Sequence, residues 1–282
     1  MFMRHRFTSL TLAFASLVVA SAATAGPAPT AQQIFTAENL TPSFANGYVV
    51  YGDDINAKLD AFKSRLIPEV KPFDFEIAPP GSTSALEYVF AGSGGTNILA
   101  TMTGGVVRSE TLLGRYNTTA PTAASPTPRQ YLEVQTVAPV AQAASGSASV
   151  LAPTAQFTIS FSKAISAFAF FGTDIGDFDG SLIMEMFLDD VKQTELTVRG
   201  GDKPSMNGNE LLFYGFASPD VAYNKIVFRT KSTDGNDVFG FDDFWAADAG
   251  QLVAPTPAPE PGSLALVGLA LAAAGLMRRR KA

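Results

Sequence analysis

From Lys71 to Trp245 the chain is a succession of short aromatic or β-branched runs: KPFDFEI, LEYVF, NILATM, YLEVQTV, AQFTISF, ISAFAFF, SLIMEMFL, VKQTELTV, ELLFYGF, YNKIVFRT and VFGFDDFW. Gly, Pro, Asn, Asp and Ser separate them, which is how strands are punctuated. No stretch between them has the period of a crossover helix, so parallel βαβ units are excluded. The expectation is a mainly β fold, an antiparallel β-sandwich of jelly-roll type. In AQFTISF, Phe157, Ile159 and Phe161 share one face and Thr158 and Ser160 the other, the alternation of a half-buried strand. ISAFAFF is apolar on both faces and is expected to lie centrally in a sheet or to be covered by a second layer.

One segment has helical period. DDINAKLDAFKSRLIP sets Ile55, Leu59, Phe62 and Leu66 on one face, with Asp53 or Asp54 as cap and Pro68 as stop. It predicts a single short amphipathic helix lying on a sheet. The preceding polar lead offers no strand signal. Two stretches, Asn117 to Arg129 and Ala138 to Ser149, are rich in Pro, Ala, Ser and Thr and poor in large apolar side chains. They are expected as solvated surface loops, with their Ser and Thr hydroxyls open to glycosylation. AGSGGTN (Ala91 to Asn97) lacks the Gly-Lys-Ser/Thr ending of a phosphate loop and reads as a hairpin connection.

The chain's start reads as a secretory signal over residues 1–25: Arg4, His5 and Arg6, the apolar run Leu10 to Ala20, then Ala23-Thr24-Ala25 before Gly26. Six of the 20 basic residues lie in the two ends, so residues 26–260 hold 14 Lys and Arg against 26 Asp and Glu, a net charge of −12. Such a body repels polyanions, which argues against nucleic acid as a partner. Cysteine is absent and the single histidine is His5. A mature body without either residue cannot build a Ser-His-Asp or Cys-His pair, a His-ligated zinc or a disulfide. The nearest Ser-Lys arrangement, Ser160 and Lys163, falls on a predicted strand, where i and i+3 point to opposite faces. The body is therefore expected not to be an enzyme.

Two acidic clusters remain as candidates for chemistry. GTDIGDFDGS holds Asp174, Asp177 and Asp179; STDGNDVFGFDDF holds Asp234, Asn236, Asp237, Asp242 and Asp243. Loop oxygens of this kind suit a structural calcium ion. The EF-hand spacing is missing, since Gly176 and Phe178 occupy the third and fifth positions from Asp174, and turn formation alone accounts for Asp-Gly sequences equally well. No cofactor is required by either reading. Strand alternation puts Asp242 and Asp243 on opposite faces, so one of them needs a cation or hydrogen-bond donors to offset desolvation. A carboxylate pair is also the minimum for a glycan-acting hydrolase. Phe outnumbers Tyr and Trp, 22 against 7 and 1, which points to core filling more than to sugar platforms, and Trp245 is expected to pack.

The C-terminus has four parts. APTPAPEPG (Ala254 to Gly262) is an extended, semi-rigid spacer, placed with Gln251 to Val253 between a body ending at residue 250 and the tail. Pro259-Glu260-Pro261 closes it. Ser263 to Met277 is an uncharged run, about 22 Å long as a helix and completed as a span by its flanks, which makes residues 263–282 a transmembrane helix with a basic tail. Arg278, Arg279, Arg280 and Lys281 hold that tail in the cytoplasm. Spacer, Pro-Glu-Pro, short apolar helix and terminal arginines, behind an N-terminal signal, closely resemble the PEP-CTERM sorting signal of exported Gram-negative bacterial proteins. The resemblance implies recognition of Pro259, Glu260 and Pro261 by an exosortase, a membrane-embedded cysteine transpeptidase, followed by removal of the tail. It implies export through the inner membrane, a transient C-terminal anchor and residence at the cell surface or in the extracellular matrix of an exopolysaccharide-producing cell. For the body it leaves three roles in order: a structural or adhesive one in the exopolysaccharide layer, a carbohydrate-binding module, and a glycan-acting hydrolase.

Overall fold

Along the strand Ala167–Thr173, Phe168 and Phe170 point into one apolar cluster while Ala167, Ala169 and Phe171 point into another. That division organises the molecule. The computed structural model describes residues 32–45, 48–83, 85–110, 116–119, 128–135, 154–175, 180–200, 210–232 and 238–253. In chain order the elements are β1 (Gln33–Asn39), β2 (Ser43–Ala45), β3 (Tyr48–Val50), α1 (Asp53–Lys63), β4 (Leu86–Ala91), β5 (Asn97–Thr103), β6 (Val106–Ser109), β7 (Gln130–Gln135), β8 (Thr154–Ile165), β9 (Ala167–Thr173), β10 (Gly180–Leu188), β11 (Val191–Arg199), β12 (Leu211–Ala217), β13 (Tyr223–Ser232) and β14 (Val238–Ala247).

Two six-stranded sheets result, with orders β1-β12-β9-β14-β7-β6 and β11-β10-β13-β8-β5-β4, and every pairing in them is antiparallel. The inner cluster between them is aromatic: Phe157, Phe168, Phe170, Phe228, Phe241 and Phe244 contact one another ring to ring. Each such side chain taken from water stabilises the fold by about 1.5–3 kcal/mol before ordering costs. This is a β-sandwich, mainly β with one α-helix among the described residues, as the run of strand-like segments implied.

The helix lies outside this sandwich. Ile55, Leu59 and Phe62 are its buried residues, and they pack with Phe35, Phe171, Phe213 and Trp245 on the outer face of the first sheet. Phe62 meets Phe35 edge-on at 5.6 Å and Trp245 at 6.4 Å. β9 is thus covered on both faces, as its composition required. The ends of α1 differ from the sequence reading. Gly52, with extended backbone, is the N-cap, while Asp53 and Asp54 occupy the first turn, where their charges favour the helix dipole. The helix stops at Lys63 with Ser64 as C-cap, ahead of Pro68, and Leu66 is buried through a bridge to Leu252.

KPFDFEI is not a strand. Phe73 makes one isolated bridge to Phe244, and Phe75 takes a left-handed turn at φ 59° that lets both rings reach the core. β1, β2, β3 and β6 had no sequence signal strong enough to name them. AGSGGTN is the β4–β5 hairpin connection, as expected. No helix among the described residues is long and apolar enough to cross a membrane. The signal segment 1–25, the stretch 138–149 and the tail 263–282 lie outside the described residues, as do Pro259, Glu260, Pro261, Arg278, Arg279, Arg280 and Lys281.

Candidate functional site

The two aspartates of β14 lie where the strand breaks step. Phe241 and Phe244 both face the inner core, so two residues stand between them where alternation allows one. The pairing with β9 shifts register between Asp242 and Trp245, and Asp243 adopts φ 49°, the signature of a β-bulge. The expected opposition of the two side chains is thereby lost: both carboxylates are buried and both converge on Thr118 and Thr119. Gly240 lets this happen, because a Cβ there would come within 2.8 Å of Thr173 Oγ1 and 3.1 Å of Tyr116. The Tyr116 segment can therefore lie directly on the strand.

Asp242 is saturated with donors. Its Oδ2 accepts from the Thr118 amide at 2.7 Å, the Thr119 amide at 3.1 Å and the two threonine hydroxyls at 3.1 and 3.2 Å; its Oδ1 accepts from the Asp243 amide at 2.8 Å. Asp243 Oδ1 stands 3.2 Å from the Thr119 hydroxyl, which has one proton to give and two carboxylates within reach. Burial and then the charge of Asp243 push the Asp242 carboxyl well up. Burial, with Asp74 adding to it, pushes Asp243 to about 7 against the pull of Thr119, Thr118 and Lys63. A proton shared by the pair resolves the donor shortage, since a protonated Asp243 can donate to Thr119 while that hydroxyl donates to Asp242.

The rest of residues 116–119 is tied down in the same way. The Tyr51 hydroxyl donates to Thr118 O at 2.7 Å, and burial followed by the charges of Asp243 and Asp242 raises its pKa. Glu110 accepts from the amides of Tyr116 and Asn117. The Tyr116 hydroxyl donates to Asp174 Oδ2 at 2.8 Å, and Asn117 Nδ2 donates to Gln130 O and to Glu76. Asn117, Thr118 and Thr119, expected as part of a solvated loop, are instead buried, with relative exposures of 2%, 2% and 7%. The acids fix the strap, and the strap's amides and hydroxyls offset part of the acids' desolvation. A glycan has no access to these two threonines in the folded body.

For a cation the fit at Asp242 is poor, because its Oδ2 is ringed by N–H and O–H donors, whereas a hard cation gathers oxygen lone pairs. Among the described residues no group of three or more Asp and Glu side chains is arranged to hold a metal ion. Of the eight candidate ligands, Asp174, Asp242 and Asp243 are described; Asp177, Asp179, Asp234, Asn236 and Asp237 are not. Lys163, weighed with Ser160, instead pairs with Asp248 Oδ2 at 2.5 Å while Ser160 is exposed. Trp245 packs, 4% exposed. Sequence reasoning missed Thr118, Thr119, Glu110 and Glu76, since nothing local in a strap 124 residues before Asp242 announces its partner.

Residues 257–281 match the PEP-CTERM protein-sorting motif. No curated protein and no solved structure matches the chain. The motif marks an exported protein with a C-terminal sorting signal and an exosortase as its processing partner.

Proposed function

We propose that the body is a structural or adhesive component of an exopolysaccharide layer, delivered by its N-terminal signal, held for a time by the C-terminal helix and released to the cell surface when the exosortase acts at Pro259-Glu260-Pro261. The observation that carries this reading is the sorting motif at residues 257–281 on a β-sandwich with acids committed to structure. The exposed large hydrophobics among the described residues are all aliphatic, from Ile34 to Val253, and the half-buried Phe187 is covered by the Lys225 ammonium. That weighs for a structural role over a carbohydrate-binding module, which presents aromatic faces. The hydrogen-bonded burial of Asp242 and Asp243 weighs likewise against a glycan-acting hydrolase, and the reading is that the protein is not an enzyme. The sandwich is read as jelly-roll in type, supported by the way β8, β9 and β10, then β11 to β14, pass from sheet to sheet. A structural calcium ion remains a proposal for the segments at 174–179 and 234–237; chelation lowers the melting temperature if an ion is bound by the folded state alone.

The deciding experiment is the mature C-terminus by mass spectrometry, in producing cells and in a strain lacking the transpeptidase. The expected result is a chain that ends near the Pro-Glu-Pro motif only when the transpeptidase is present. Glu260→Ala, or glutamine at Arg278, Arg279 and Arg280, leaves export intact and impairs tail removal. Unchanged processing in both variants sinks the sorting role of these residues.

A further inference from the structure

At the end of α1 a cleft of about 280 Å³ opens between Lys63, Ile67, Pro68, Lys71 and Pro72, with Trp245 in its wall. Its walls are proline and aliphatic side chains, its charges are two lysines, and no acid lines it. The Lys63 ammonium lies 5.9 Å from the Trp245 ring centroid. On a body with net charge −12 this is a cationic, proline-lined recess.

The backbone leads the chain to this place. Ile67 N–H donates to Gln251 O, Leu66 bridges Leu252 in antiparallel sense, and Val253 N–H donates to Arg65 O. The antiparallel direction set by this bridge points from Val253 past Arg65 and Ser64 towards Lys63. The residues after Val253 are Ala254-Pro-Thr-Pro-Ala-Pro-Glu260-Pro261, in which Glu260 is the sole charged residue between Asp248 and Arg278. A polyproline-type segment of seven residues reaches about 22 Å, more than enough to cross a cleft of that volume. Such segments dock in aromatic-lined grooves because they have little conformational freedom left to lose.

We propose that this cleft is the dock of the chain's own spacer, residues 255–260, with the Glu260 carboxylate seated on the ammonium groups of Lys63 and Lys71. The folded body then holds its sorting motif against its own surface, and the transpeptidase takes the motif from a body that is already folded. Only this consequence rests on the sorting role proposed above; the docking does not need the enzyme.

The test uses the full, unprocessed chain in detergent micelles. Acetylation rates of individual lysines are mapped by mass spectrometry, with exposed Lys58 as reference. A tether this short gives an effective concentration on the order of millimolar, so a millimolar contact protects about half the molecules. Glu260→Lys, which lies outside the folded body, is expected to raise the rates of Lys63 and Lys71 about twofold, with Lys58 unchanged. Reversing both sides, Glu260→Lys with Lys63→Glu and Lys71→Glu, is expected to slow acetylation of the lysine introduced at position 260 about twofold relative to Glu260→Lys alone. Unchanged rates in Glu260→Lys, or no slowing in the double reversal, overturns the dock. Shielding of the wild-type chain by an added acidic oligosaccharide but not by its own spacer also overturns it, in favour of a saccharide site. Failure of tail removal in cells, with the protection intact, counts against the sorting role alone.

Discussion

At the scale of single residues, the pair Asp242 and Asp243 carries a desolvation cost, since two adjacent acids are taken out of water. Their carboxyls titrate above the ordinary range, so the folded state binds more protons than the unfolded one between roughly pH 4 and about 7. Their contribution is therefore full below the ordinary aspartate pKa of 3.8 and lost as the pH rises to about 7. Asp248, despite its burial, is held low by Lys163 and Ser93, and Glu185 by Lys192 and Arg229, so these act in the opposite direction and lose their contribution as the pH falls through their depressed values. Melting temperature should accordingly peak near the ordinary carboxylate range, about pH 4, and decline towards pH 7. Asp243→Asn, which tolerates the left-handed backbone, should flatten that decline in a pH series of thermal melts; a decline of unaltered slope would place the titration elsewhere. Asp242→Ala should cost about 3 kcal/mol in denaturant unfolding, because it strands the buried amides of Thr118 and Thr119. GFDDF was legible as an acid pair in need of donors, but its donors were not, because a hydrogen bond across 124 residues leaves no periodicity for a sequence to show.

Among the elements, β9 and β12 pack so closely that side-chain size decides the outer layer. At Gly215 a Cβ would lie 2.6 Å from the Ala169 Cβ and 3.1 Å from the Phe168 carbonyl, neither of which can swing aside. Gly215→Ala should therefore destabilise by about 1–3 kcal/mol through displacement of β12 from β9. Phe62→Ala, which empties the contact of α1 with Phe35, Phe213 and Trp245, should cost about 3–5 kcal/mol. Equal stability of either variant and the wild type in urea would refute the account of the outer layer. Strands with one wet face, such as β8, and those with two dry faces, such as β9, were legible because period and composition agree. Phe73 and Phe75 were not, since Phe-Asp-Phe alternates like a strand while a single left-handed residue turns it into a loop that delivers both rings to the core. The edge strand β11 shows the opposite economy: Lys192 pairs with Glu185 and Glu195, and charge on an open edge discourages a second chain from adding to it.

For the whole molecule, the composition poses one problem that the fold must solve without cysteine. An exported body with net charge −12 repels itself, and no disulfide restrains its unfolded state. Two apolar layers answer this, the aromatic interior between the sheets and the outer layer under α1, both served by β9, β12 and β14. The exposed ion pairs, such as Arg108 with Glu133 and Lys192 with Glu195, are worth at most about 1 kcal/mol each, while the excess negative charge opposes the compact state most at low ionic strength. Screening should therefore favour the folded body: raising sodium chloride from about 10 mM to about 300 mM, where the Debye length falls from about 30 Å to below 8 Å, should raise the melting temperature and then level off. The rise should be the same with potassium chloride, since it depends on ionic strength and not on a bound ion. A melting temperature that falls with salt would mean that ion pairs, and not the two apolar layers, hold this protein together.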